Sequence, residues 1–132
     1  MKDGFLKAAA AAPKIRVADP AWNALEICKA LDSCYAQRAK LIVLPELCLT
    51  GYTCQDLFLQ ERLLEESLEG LQAVLEHTKG HDALTFVGLP LEKDGKLYNV
   101  AAAICDGELL GLVTKTNMPN YSEFYELRHF TP

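Results

Sequence analysis

The chain has 132 residues, 50% of them hydrophobic and 23% charged, with a formal net charge of −5. That mix suits one soluble globular domain, or part of one. The acidic balance excludes a nucleic-acid phosphate surface or a polybasic membrane contact. The longest apolar runs fall far short of the roughly 20 residues a spanning helix needs, and the start MKDGFLKAAAAAP lacks a signal-peptide layout, so a cytoplasmic location is the expectation.

In chain order, GFLKAAAAAP is a short apolar run bounded by Gly4 and Pro13, and predicts a buried strand over Phe5 to Ala11. After ADP, Asp19 can cap and Pro20 can take the first helical position. Ala24, Ile27, Cys28, Leu31 and Tyr35 then recur at helical spacing, which predicts a helix over residues 21–37. Leu41 to Leu44 show no polar alternation, as in a strand covered on both faces, and Pro45 ends the run. Leu57, Leu64, Leu68, Leu71 and Leu75 predict a second helix over residues 57–79, with Asp56 as N-cap and Gly80 as its stop. Leu84 to Gly88 read as another buried strand. KLYNVAAAICDGELLGLVTK reads as a hairpin turned at Asp106-Gly107. The closing TNMPNYSEFYELRHFTP has two prolines, four aromatics and no period, and reads as a loop.

The five cysteines are an odd number without a CxxC pair, so packed, reduced thiols fit better than disulfides or zinc ligands. The three scattered histidines do not suggest a metal site either. Two charged residues stand out by position. Glu46 follows the apolar strand KLIVLP, and Lys115 follows the last hairpin arm. In open α/β sheets, loops at strand ends gather binding and catalytic groups. A solvated or turn-capping glutamate and a solvated lysine are the competing readings.

Taken together, LIVLPELCLTGY and VTKTNMPNYSEFYE resemble two signatures of the nitrilase, or carbon–nitrogen hydrolase, superfamily. Within it, MKDGFLKAAAAAPKIRVADPAWNA, LCLTGYTCQDLF and YSEFYELRHF are similar to the N-terminal glutaminase region of glutamine-dependent NAD+ synthetases, and the similarity runs over the whole chain. The resemblance implies an αββα sandwich of which this chain is the N-terminal portion, and a Glu-Lys-Cys set that cleaves non-peptide amides through a thioester. It implies Glu46 as general base, Lys115 as oxyanion stabiliser and Glu123 as a supporting carboxylate, with Tyr52 and Tyr121 against substrate; for Tyr52 a packing role is equally open. A thiol is mostly protonated near neutrality, which is why such attack needs a carboxylate beside it.

The superfamily's nucleophile follows the lysine by several tens of residues, and no cysteine here fills that place. Cys105 precedes Lys115 and runs into the Asp-Gly turn. Cys48 lies two residues from Glu46, at a position without a catalytic role in the superfamily. The expectation is therefore an N-terminal fragment without its nucleophile and inactive by itself. The intact protein would use glutamine, deamido-NAD+ and ATP, with ATP and Mg2+ in a missing synthetase domain and no cofactor in this one. A stand-alone amidase or carbamoylase and a non-catalytic scaffold module are the rivals. A truncated sandwich should also leave one sheet face apolar and either exposed or covered in a homo-oligomer.

Overall fold

A computed structural model describes residues 4–132. Its centre is one mixed sheet of strands β1 (Ala8–Ala10), β2 (Leu41–Val43), β3 (Leu84–Lys93), β4 (Lys96–Cys105) and β5 (Glu108–Thr114), in that spatial order. β1, β2 and β3 are parallel, whereas β4 and β5 are added as antiparallel neighbours. Two reversals make β5 run in the same direction as β2. The two strands therefore leave the sheet at the same edge.

Helices α1 (Pro20–Ala36) and α2 (Glu61–His77) pack side by side on one face. α1 begins as its sequence predicts: the Asp19 carboxylate accepts from Trp22 N–H at 3.1 Å and Pro20 takes the first turn. Such a cap contributes about 1 kcal/mol. Strand alternation turns Ile42, Val87, Leu89, Val100, Ala102 and Ile104 toward Ala24, Ile27, Leu31, Leu71 and Val74 of the helices. Each of the larger side chains so buried stabilises by about 2 kcal/mol. The other face shows Val43 and Val113, 46% and 59% exposed, around half-buried Phe86, Ala101 and Ala103. The expected open apolar face is present. Among the described residues, no helix is long and apolar enough to cross a membrane.

Three boundaries differ from expectation, each for a physical reason. The first strand is only Ala8–Ala10, because its partner β2 offers three residues of register; Phe5 is 81% exposed. The second helix starts at Glu61, after a 3-10 turn over Gln55–Leu59, and its buried stripe is Leu63, Ser67, Gly70, Leu71, Val74 and Leu75. Leu57 and Leu68 are left substantially exposed. Asp56 caps nothing, since its carboxylate receives Arg128 Nε and Nη2 at 2.9 and 3.0 Å and His129 Nε2 lies 3.1 Å away. Those bonds hold this exposed carboxyl well below the usual carboxylate range.

The third difference is a hairpin. β3 runs on through Pro90 to Lys93 and turns at Asp94-Gly95, both at positive φ (54° and 72°), into β4. A proline inside a strand argues against it when both edges are bonded. Here Asn99 opposite Pro90 turns its carbonyl to Lys115 on the β5 side, so Pro90 and Asn99 form a non-hydrogen-bonded pair. The missing N–H of Pro90 then faces the side where β2 has already ended at Val43.

Candidate active site

The open face carries the site, and strand parity explains who is on it. Val113 lies on that face beside Ala101, so Lys115, two residues on, shares it. Asn99, two residues before Ala101 in β4, is the cross-strand neighbour of Lys115, and Lys115 N–H donates to Asn99 O at 2.8 Å. Glu46 arrives from the end of β2, in the loop that crosses over Gly88. A Cβ added at Gly88 would stand 2.6 Å from Pro45 O and 2.9 Å from Glu46 C, and closer still to Leu47 N. Only a residue without a side chain lets the Glu46 backbone lie this close to the sheet. Leu47, fully buried, sits at φ 51°, a strained conformation that functional loops retain at a cost of about 1–3 kcal/mol.

Gly88→Ala should therefore displace the Pro45-Glu46-Leu47 backbone. A denaturant titration is expected to show about 1–3 kcal/mol lost to overpacking. A variant as stable as the parent would show that the crossing is looser than described.

The charged groups converge. Lys115 Nζ lies 2.8 Å from Glu46 Oε1, and 3.0 and 2.9 Å from the two carboxylate oxygens of Glu126. Glu46 Oε1 also accepts from Asn99 Nδ2. Tyr52 donates its hydroxyl to Glu126 Oε1 at 2.7 Å. Glu126 is 5% exposed and Asn99 3%. Burial opposes the lysine charge, but the bonds to Glu46 and Glu126 outweigh it and hold the ammonium pKa above the ordinary lysine value. Burial and the Glu126 carboxylate push the Tyr52 phenol far up, so it stays a donor. Beside this cluster, Val43, Phe86, Gly88, Ala101 and Val113 floor a cavity of about 410 Å³ with Glu46 and Lys115 on its wall.

Of the residues the sequence singled out, Glu46 and Lys115 are brought together. Glu123 is not: it is exposed, and a bond from Ser122 holds its carboxyl below the usual range. The carboxylate against Lys115 is Glu126, three residues later, where the 3-10 turn Glu126–Arg128 aims it inward. Tyr52 reaches the cluster through Glu126 and lies outside the cavity wall. Tyr121 is 68% exposed, edge-on to Phe124, and belongs to a separate surface groove. Asn99 was missed. Its signal was a polar residue in the middle of an apolar strand, on the face shared with Ala101 and Ala103.

No cysteine among the described residues lines the cavity. Cys48 is 1% exposed with its thiol toward Gly88 O, and burial pushes that thiol up to about 11. Cys105 lies six residues along β4 from Asn99, roughly 20 Å at strand rise. Among the same residues, no group of His, Cys, Asp and Glu could hold a metal ion.

The chain is 36% identical over 129 residues to the glutamine-dependent NAD(+) synthetase of Mycobacterium tuberculosis (strain ATCC 25618 / H37Rv), covering 98% of this chain but 19% of that protein. It is 40% identical over 114 residues to the enzyme of the same name from Aquifex aeolicus, covering 86% of this chain and 20% of the relative. The chain thus spans about a fifth of the length of these relatives. The crystal structure of a glutamine-dependent NAD(+) synthetase from Cytophaga hutchinsonii superposes with a TM-score of 0.90 at 29% identity, over 96% of this chain and 21% of that one. An amidase from Nesterenkonia sp. shares the fold, with a TM-score of 0.80 at 20% identity over 100% of this chain and 49% of the other. The family model for carbon-nitrogen hydrolases matches residues 7–132, and the chain belongs to that family.

Proposed function

We propose that this chain is the N-terminal part of a glutaminase domain that releases ammonia from glutamine for the amidation of deamido-NAD+. The carrying observation is the Lys115 ammonium held between Glu46 and Glu126 on the wall of an apolar cavity. The relatives named for glutamine-dependent NAD+ synthesis support that substrate.

The chemistry follows from the groups. A thiol supplied by sequence outside these residues attacks the side-chain amide carbon of glutamine. Glu46 takes the thiol proton and passes it to the departing nitrogen, which leaves as ammonia. The carbonyl oxygen becomes negative in the tetrahedral intermediate, and the Lys115 ammonium faces that charge. Water then cleaves the thioester, with Glu46 as base, to give glutamate and the free thiol. Glu126 keeps Lys115 charged and aimed, and Tyr52 keeps Glu126 in place. ATP, Mg2+ and deamido-NAD+ belong to a further domain of the complete, cytoplasmic protein.

The test pairs the 132-residue chain with the full-length protein. Full-length protein and glutamine should yield ammonia and a trapped thioester by mass spectrometry; the chain alone should yield neither. Cys105→Ser in the full-length protein should leave turnover near the parent value. Ammonia released by the chain alone, and lost on Cys105→Ser, would refute the reading.

A further inference from the structure

We infer that Asn99 is a positioning residue for the amide hydrolysis proposed above: its side chain fixes which oxygen of Glu46 is free to take the proton, and its main chain fixes Lys115. The inference rests on that functional reading. Glu46 Oε1 receives both Asn99 Nδ2 and Lys115 Nζ, whereas no donor among the described residues reaches Oε2. A carboxylate is acceptor-only, so the Asn99 amide must present its NH2 to it. Oε1 is thereby anchored and Oε2 becomes the base. The Asn99 carbonyl, in turn, accepts Lys115 N–H at 2.8 Å, which sets the start of the lysine side chain. One buried residue in the middle of β4 therefore sets the distance between the base and the oxyanion stabiliser. A hydrophobic residue of similar size would fill the space but leave Lys115 Nζ as the one remaining donor to Glu46 Oε1 among the described residues.

The groups facing Glu46 are Lys115, with Glu126 behind it, and, farther off, Tyr52. None of them replaces the Asn99 donor. In the full-length protein, Asn99→Leu and the isosteric Asn99→Asp are compared with the parent by kcat and KM of ammonia release. Misaiming the base should lower kcat about 10- to 100-fold with KM little changed. Asn99→Asp, which sets a second acceptor-only carboxylate against Oε1, should lose at least as much. If the leucine variant does not fold, the aspartate variant carries the test. Separately, the side-chain amide resonance of Asn99 should move on Glu46→Gln in 15N NMR. A parent that releases no ammonia would refute the functional reading, and Asn99 is then judged by that resonance alone. A folded variant with kcat within about twofold of the parent, or an amide resonance indifferent to Glu46→Gln, would overturn the inference.

Discussion

Glu46→Gln should lower ammonia release from glutamine by the full-length protein about 10²- to 10⁴-fold, the range a positioned general base supplies. Glutamine keeps the size of the side chain but cannot take the thiol proton. Lys115→Ala should lose at least as much. Removing an oxyanion donor costs about 10²- to 10³-fold in kcat. It also leaves the Glu126 carboxylate, 5% exposed, without its cation, and breaking a buried pair costs about 3–5 kcal/mol of stability. The two variants should thus differ in kind: Glu46→Gln folds like the parent, whereas Lys115→Ala also melts earlier. Steady-state ammonia assays and thermal melts on the same samples separate them. Turnover within tenfold of the parent in both would end the assignment of base and oxyanion stabiliser.

The pH dependence of Lys115 follows by sign. Its folded-state value is raised by the two carboxylates, so the ion pairs stabilise the fold fully below the unfolded lysine value of about 10.4 and fade as pH climbs through the higher folded value. Loss of the lysine charge therefore sets an alkaline limb of the rate above that of an ordinary lysine.

Elements with a strong local signal were legible before any coordinates. Asp19-Pro20 marked the start of α1, Asp106-Gly107 the β4–β5 turn, and the unbroken apolar run at Leu41 the parallel β2. Glu46 and Lys115 stood out because each follows an apolar strand, and the fold brings the two together. What the sequence hid was tertiary. Asp56 has every local mark of a cap, and only the arrival of Arg128 and His129 from the far end of the chain redirects it. The strand expected over Leu84 to Gly88 runs on through Pro90, because nothing local reveals that β2 stops short beside it. Tyr121 lies in the aromatic loop after Lys115, yet its ring is turned to the surface. Asn99 is chemically anonymous until the Glu46 loop crosses Gly88 and meets it.

The same limit explains the supporting carboxylate, and the strongest discrimination comes from there. Glu123 and Glu126 lie within one aromatic-rich loop, and the spacing from Lys115 that singled out Glu123 does not choose the carboxylate that reaches the ammonium. The fold does: the Asp56 contacts to Arg128 and His129 tie the turn Glu126–Arg128 to the loop after Glu46, and the Tyr52 hydroxyl meets Glu126 there. Glu126→Gln in the full-length protein should lower kcat about 10²-fold, because the neutral amide no longer holds the ammonium in register. It should also move the alkaline limb to lower pH, since one of the two anions that raise Lys115 is gone. Glu123→Gln should leave kcat, KM and the pH profile within about twofold of the parent, as a surface substitution away from any buried partner does. The reverse pattern, a silent Glu126→Gln beside a crippled Glu123→Gln, would mean that the loop rearranges in the complete enzyme and that the carboxylate serving Lys115 is the exposed one.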